Sequence, residues 1–118
     1  DVLLESGGGA VLWHCTEGKD RAGLGAVVVE RALGVSEADV RADYLATNLF
    51  ARSRAEGVLD ALAAKLPALR GVDADVDAFF YTYADYYDAA MVAVTDASAE
   101  ALDFGPEKQA ALREKYLA

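Results

Sequence analysis

The chain has 118 residues, of which 54% are hydrophobic, and it carries a net charge of −9. This length suffices for one folded core, and no apolar run approaches the roughly 20 residues of a membrane-spanning helix. The acidic balance argues against nucleic acid or an anionic membrane surface as a general partner, and the single cysteine excludes an internal disulfide framework.

The first elements in chain order are the end of a helix, a strand and a longer helix. Residues 1–6 predict the end of a helix, which the three glycines at 7–9 terminate. The apolar run from Ala10 to His14 does not alternate, which is typical of a short buried strand. A helix is expected over about 22–33, inside the protein because it is apolar nearly all round, and Gly34 ends it.

The middle of the chain predicts two further helices. Ser36, with Asp39 three residues later, is typical of the N-cap of a helix that runs to about Thr47. Pro67 should then interrupt a second helix near its end, and Gly71 should close it. The apolar stripe of this second helix is Val58, Leu59, Leu62, Leu66 and Leu69.

Two helices are predicted for the remainder of the chain. Asp73 or Asp75 can cap a long helix to about Ala97, and Gly105 and Pro106 open the last helix. The long helix has one apolar face, which we expect in the core. Its residues are Val76, Phe79, Phe80, Tyr83, Tyr87, Ala90, Met91 and Val94.

The most informative segment is the loop at residues 14–21, HCTEGKDR, between the predicted strand and the helix that follows. Five residues separate Cys15 from Arg21, enough to curl once around a tetrahedral anion. Backbone N–H groups at a helix N-terminus favour both a thiolate nucleophile and a phosphate dianion. Arg21 offers a planar fork to two phosphate oxygens, and Gly18 permits the tight turn. The loop therefore predicts phosphoryl transfer to the thiol.

Residues 14–23, HCTEGKDRAG, resemble the signature loop of the cysteine-dependent tyrosine phosphatase superfamily. The GKDR run is most similar to the atypical bacterial tyrosine and phosphoinositide phosphatases. Residues 33–36 and 42–48 resemble the segment that follows the central helix of that family, and residues 112–117 resemble its C-terminal helix. The resemblance spans most of the chain, and the loop is its diagnostic part.

The resemblance implies a role for each residue of the loop. Cys15 would be the nucleophile, Arg21 would bind phosphate and stabilise the transition state, and His14 would support the thiolate. Most relatives take their general acid from a loop upstream of the cysteine, which the fourteen residues before Cys15 cannot contain. The atypical bacterial group implies Asp20 instead, and the alternative is that Asp20 only orders Arg21 or Lys19. Backbone N–H groups would come from Thr16, Glu17, Gly18, Lys19, Asp20 and Arg21.

Ala22 departs from the family pattern, which usually has threonine or serine directly after the arginine. That hydroxyl would donate to the cysteine sulfur and ease its departure. Losing a hydrogen bond to a charged group costs about 1.5–3 kcal/mol, or roughly ten- to a hundredfold in rate. We therefore expect slow turnover with a long-lived intermediate, and a phosphoanion-binding pseudophosphatase is the alternative.

The resemblance implies an α/β, three-layer tyrosine-phosphatase-like fold. Residues 1–118 would be a single domain, the mostly helical C-terminal portion of a larger phosphatase domain, with one strand at about Ala10 to His14. Because one strand cannot form a sheet, we expect the upstream half of the same domain or a second copy to complete it. Related bacterial phosphatases carry helical lids, which places a candidate lid at 59–87. There Tyr81 and Tyr86 are candidates for a pocket wall.

The expected function is hydrolysis of phosphotyrosine, with dual specificity or phosphoinositide substrates as variants of the same chemistry. No metal or cofactor is expected, because the loop itself neutralises the phosphate charge. A sulfurtransferase is an alternative, whereas an arsenate reductase would need a second cysteine. The expected partners are a phosphoprotein or a phosphoinositide. The lone cysteine and the lack of a visible secretory signal favour the cytoplasm, with secretion as the alternative.

Overall fold

The computed structural model of the chain describes residues 1–69, 80–96 and 103–118. In chain order the helices of these ranges are α1 (Val2–Glu5), α2 (Arg21–Leu33), α3 (Glu37–Lys65), α4 (Ala84–Asp96) and α5 (Pro106–Leu117), with a 3-10 turn at Pro67–Leu69. Helix α2 packs against α3 and α5, α4 packs against α3, and α1 packs against α5. Within the described ranges, no helix is long and apolar enough to cross a bilayer.

Helix α2 follows the sequence prediction closely. It begins at Arg21 and ends at Leu33, and Gly34 adopts a left-handed conformation with φ 92°. The N–H of Gly34 donates to the carbonyl of Arg31, which is a common way for a glycine to end a helix. The start of α2 fixes the position of the loop that precedes it.

The predicted strand from Ala10 to His14 is wrong: these residues form neither helix nor strand. A strand requires main-chain pairing with a neighbour, and no residue in the described ranges is assigned to a β-strand. Instead the indole N–H of Trp13 donates to the carbonyl of Ala22 at 3.2 Å, and Leu12 is 87% exposed. The mostly helical character agrees with the prediction, whereas the sheet layer is not seen in the described residues.

Helix α3 begins as predicted but continues much further. The side chain of Ser36 accepts the backbone N–H of Asp39 at 3.2 Å, which confirms the N-cap. The predicted end near Thr47 is wrong, because the following residues contain no proline and Gly57 costs only about 1 kcal/mol inside a helix. Pro67 stops the helix as expected, so that α3 ends at Lys65. Two predicted helices are thus one helix of 29 residues.

The predicted long aromatic helix is interrupted in the described residues, where Phe80 is helical and residues 81–83 are not. Its expected caps, Asp73 and Asp75, lie outside the described ranges, as does Gly71. Helix α4 begins only at Ala84, because residues 81–83 form neither helix nor strand. The main-chain N–H and carbonyl of Thr82 are both bound to the side chain of Asn48, which withdraws them from a helical ladder. The consequence is a fixed non-helical segment beside the loop.

The core lies where α2, α3 and α4 meet. Its buried members are Val27, Val40, Tyr44, Tyr87 and Met91. Tyr87 and Met91 confirm part of the predicted apolar face, whereas Tyr83 is 39% exposed; Val76, Phe79 and the side chain of Val94 are not described. The ring of Tyr44 packs 5.7 Å from that of Tyr87. This core supports the first turn of α2 and therefore the loop.

The predicted last helix is confirmed, with Pro106 at its start. Leu112 of α5 is 1% exposed, and the Nε of Arg113 donates to the carbonyl of Ala32 at 2.6 Å. The ammonium of Lys115 donates to the carbonyls of Leu3 and Leu4 at the end of α1. Helix α5 thus holds α1 and the C-terminal end of α2 together, on the side away from the loop.

Candidate active site in the loop before α2

Cys15 lies in a loop that turns back toward its own sulfur. The backbone N–H of Gly18 donates to Cys15 Sγ at 3.2 Å. This approach requires a tight turn, and Gly18 supplies it with φ 81°, a conformation that other residues adopt only with strain. The thiol is half-buried and is the only cysteine in the chain. The predicted nucleophile and the predicted turn glycine are therefore in direct contact.

The pKa of the Cys15 thiol is lowered from its ordinary value. The largest cause is the backbone N–H of Ala22, opposed by partial desolvation, and the N–H groups of Gly18 and Glu17 and the charge of Arg21 lower it further. Each of these groups favours the thiolate over the thiol. Ala22 lacks the hydroxyl usual in the family, yet its main chain is the strongest of these influences on the sulfur. The predicted backbone donors, residues 16–21, end one residue before Ala22.

Arg21 occupies the first position of α2 and its side chain is exposed. Its Nη2 donates to the hydroxyl of Thr16 at 3.3 Å. The guanidinium therefore bridges the two ends of the loop, because Thr16 directly follows the thiol. An exposed guanidinium in this position can present its remaining donors to two oxygens of an anion. The structure thus brings the predicted phosphate-binding arginine to the same loop face as Thr16.

Lys19 and Asp20 form an ion pair beside the loop. Lys19 is 7% exposed, and its Nζ lies 3.0 Å from Asp20 Oδ1. The same ammonium donates to the carbonyl of Tyr81 at 3.5 Å. A buried charge requires such partners. The ammonium of Lys19 is therefore held by protein acceptors, whereas the carboxyl of Asp20 is half-exposed.

His14 directly precedes the nucleophile in the loop. Its side chain is exposed, and its Nδ1 donates to the carbonyl of Cys15 at 3.4 Å. It therefore contacts the main chain of the nucleophile. No three His, Cys, Asp or Glu side chains of the described residues come together in a group that would hold a metal ion.

A pocket of about 350 Å³ opens beside the loop. One wall carries an ion pair that the sequence analysis missed, in which Arg54 Nη2 lies 3.2 Å from Glu17 Oε1. Phe50 and Phe80 contribute apolar surface to the pocket, and Phe50 is 81% exposed. A prediction that ended α3 near Thr47 gave no reason to place Arg54 here. The lining residues are Glu17, Gly18, Lys19, Thr47, Phe50, Ala51, Arg54 and Phe80.

Main-chain N–H groups converge on a thiol directly before a helix, and an arginine occupies the first helical position. This arrangement defines a thiol-dependent, anion-binding loop. The family model described as the tyrosine phosphatase family matches residues 1–118. The chain belongs to the tyrosine phosphatase family, which confirms the resemblance carried by residues 14–23.

One curated relative extends this result. A protein of Cupriavidus necator, provisionally named a tyrosine-protein phosphatase, is 38% identical over 88 residues. These residues cover 75% of the present chain and 31% of that protein, so the chain spans about a third of the length of the curated relative it matches. No solved structure matches the chain.

Proposed function

We propose that this chain carries the catalytic loop of a phosphatase that hydrolyses phosphotyrosine, with dual specificity as a broader form of the same activity. The observation that carries the proposal is the sulfur of Cys15, which receives the N–H of Gly18 at 3.2 Å directly before a helix that begins with Arg21. Family membership supports a phosphorylated substrate. A lone cysteine suits a reducing compartment, so the proposal includes a cytoplasmic location, with secretion as the alternative.

In the first step, the Cys15 thiolate attacks phosphorus in line with the leaving oxygen. The bond from Sγ to phosphorus forms as the bond from phosphorus to the ester oxygen breaks. Main-chain N–H groups of residues 16–21 and the Arg21 fork hold the three other phosphate oxygens, where negative charge is spread in the transition state. In this proposal the carboxyl of Asp20 enters the step protonated and gives its proton to the departing oxygen. The carboxylate that results is the form that pairs with Lys19.

In the second step, water releases the phosphate. The water oxygen bonds to phosphorus, the bond from phosphorus to Sγ breaks, and its electron pair returns to sulfur as thiolate. The proton of the water passes to the carboxylate of Asp20, which is thereby ready for the next cycle. One ester and one water are consumed, and one alcohol or phenol and one inorganic phosphate are produced. The cycle needs no cofactor.

Two alternatives use the same loop. A phosphoinositide phosphatase was suggested by Lys19, but this ammonium is engaged by Asp20 and the Tyr81 carbonyl, so Lys19 does not favour phosphoinositides over phosphotyrosine. A phosphoanion-binding pseudophosphatase was suggested by Ala22. The backbone N–H of Ala22 is the largest influence that lowers the pKa of Cys15, which supports an active nucleophile instead.

The first test is hydrolysis of p-nitrophenyl phosphate by the full-length protein, with a metal chelator present. We expect turnover that is lost in Cys15→Ser, because the hydroxyl is a much weaker nucleophile than a thiolate. Arg21→Lys keeps the charge but removes the fork, and we expect a large loss of kcat/KM. Arg52→Lys is the matched control, since the Arg52 side chain is 76% exposed on α3 and pairs with Glu56.

The outcomes separate the candidates. Turnover that survives in Cys15→Ser overturns the thiol mechanism. Tight binding of a phosphotyrosine peptide without turnover indicates the pseudophosphatase. A comparison of phosphotyrosine peptide, phosphoserine peptide and a phosphoinositide headgroup then measures specificity, and a clear preference for the headgroup overturns the phosphotyrosine assignment.

A further inference from the structure

The side chain of Asn48 binds both main-chain groups of one residue in the segment 81–83. Its Nδ2 donates to the carbonyl of Thr82 at 2.9 Å, and its Oδ1 accepts the N–H of Thr82 at 2.8 Å. The hydroxyl of Thr82 donates to the same Oδ1 at 3.2 Å. Only one orientation of the amide satisfies this pattern. Thr82 is 2% exposed, so water cannot easily replace these hydrogen bonds.

The fixed main chain of Thr82 determines where the preceding carbonyl points. The carbonyl of Tyr81 accepts from Lys19 Nζ at 3.5 Å, and Asp20 Oδ1 accepts from the same ammonium at 3.0 Å. Because Lys19 is 7% exposed, its charge depends on protein acceptors such as these. A continuous series of contacts therefore runs from Asn48 on α3, through Thr82, Tyr81 and Lys19, to the carboxyl of Asp20.

We infer that Asn48 is a positioning residue for the carboxyl of Asp20: it holds the segment 81–83 so that Lys19 is anchored and Asp20 faces the leaving oxygen. This inference rests on the proposed function, in which the proton of Asp20 moves to the departing oxygen as the bond from phosphorus to oxygen breaks. Among the described residues the side chain of Asn48 makes its hydrogen bonds to Thr82 and not to the loop. Its effect is therefore confined to steps that need the proton.

The test compares two leaving groups in the full-length protein. Nitrophenolate leaves readily without a proton, whereas phenolate does not, so the ratio of kcat/KM for p-nitrophenyl phosphate to that for phenyl phosphate measures general-acid catalysis. General acids contribute about 10²–10⁴-fold, and we expect Asp20→Asn to raise this ratio within that range. For Asn48→Ala we expect the ratio to rise roughly ten- to a hundredfold, the effect of a small misplacement of a catalytic group.

Two further variants make the result specific. Asn48→Asp retains an acceptor for the Thr82 N–H and loses the donor to the Thr82 carbonyl, so we expect a ratio between those of wild type and Asn48→Ala. Leu112→Ala removes a core side chain that is 1% exposed on α5, so it loses stability as a core truncation does while the ratio stays unchanged. Circular dichroism then confirms that each variant is folded.

The double variant Asp20→Asn with Asn48→Ala tests the series directly. If Asn48 acts through Asp20, the double variant should have the same ratio as Asp20→Asn alone, because Asp20 can then no longer donate a proton. The inference alone is overturned if Asp20→Asn changes the ratio while Asn48→Ala lowers kcat/KM equally for the two substrates. An unchanged ratio in Asp20→Asn overturns the acid assignment together with the inference. A wild-type protein without thiol-dependent turnover overturns the proposed function itself.

Discussion

Arg54 of α3 pairs with Glu17 of the loop, with Arg54 Nη2 3.2 Å from Glu17 Oε1. Glu17 comes two residues after the thiol, and a lone carboxylate there would repel a phosphate dianion. The arginine offsets that charge from a helix position 37 residues away in sequence. The long helix α3 therefore takes part in the electrostatics of the loop, although the thiol and the loop arginine are not on it.

We expect Arg54→Gln to raise KM for a phosphate monoester about fivefold, which corresponds to about 1 kcal/mol for an exposed pair. The value of kcat should change little, because neither residue reaches the leaving oxygen in the proposed mechanism. Steady-state kinetics at low salt measure the change. Adding Glu17→Gln should restore KM, since it removes the repulsive charge. A double variant with the KM of Arg54→Gln would contradict this explanation.

The lowered pKa of Cys15 predicts thiolate reactivity at unusually low pH. A free cysteine has a pKa of about 8.5, and the thiolate fraction rises as pH increases through the pKa. Because the Ala22, Gly18 and Glu17 backbone groups lower that pKa, the rate of alkylation by iodoacetamide should reach half its maximum below the pH found for the urea-unfolded protein. Mass spectrometry of the single cysteine over a pH series measures both midpoints.

Arg21 contributes to the same pKa, but less than the main-chain donors. Arg21→Gln should therefore move the alkylation midpoint upward only slightly, and the midpoint should remain below that of the unfolded protein. Arg52→Gln, far along α3, should leave it unchanged. Equal midpoints for folded and unfolded wild type would show that the loop does not stabilise the thiolate.

The loop could be predicted from sequence because its chemistry depends on residue types at short spacing. Local sequence is enough to predict Gly18, Arg21 and the helix that follows, because no contact with distant residues defines them. The strand at Ala10 to His14 could not be judged in this way, since a strand exists only through its partners. The contact of Arg54 with the loop depends on a continuous α3, and the predicted helix end near Thr47 left Arg54 without a place beside the loop.

The aromatic segment illustrates the same limit. Spacing alone places Phe80, Tyr83 and Tyr87 on one helical face, but residues 81–83 form neither helix nor strand. The side chain of Asn48 binds both the N–H and the carbonyl of Thr82 in this segment. A side chain 34 residues away in sequence thus overrides local propensity. Sequence patterns could not anticipate this contact, because it depends on how α3 packs against α4.

Glu30 of α2 carries a testable pH effect on stability. Its Oε2 is buried and has no hydrogen-bond partner in the described parts of the chain. Burial raises the pKa of Glu30, and the charge of Asp43 and a hydrogen bond with it raise the pKa further. A carboxyl with a raised pKa in the folded state contributes stability that is full below the unfolded pKa of about 4.3 and is lost as pH rises through the folded pKa.

Glu30→Gln removes this titration. We therefore expect wild type to lose more stability than the variant between pH 4 and pH 7. The urea midpoint of Glu30→Gln minus that of wild type should accordingly increase over this pH range. The exposed Glu114→Gln on α5 is the matched control for removing one negative charge from an acidic protein. If both variants have the same pH dependence, net charge explains the effect and burial of Glu30 does not.

Ala22→Thr tests what the missing hydroxyl costs, on the basis of the proposed function. A threonine hydroxyl next to Arg21 would donate to the sulfur as it leaves phosphorus, and such a bond is worth about 1.5–3 kcal/mol, or roughly ten- to a hundredfold in rate. In rapid-mixing experiments, wild type should release a burst of nitrophenol and then turn over slowly. Ala22→Thr should speed the slow phase and reduce the burst. Ala22→Val has the same shape without the hydroxyl and should not accelerate it. Equal slow phases in the threonine and valine variants would mean that the backbone N–H groups at Cys15 already stabilise the departing thiolate sufficiently.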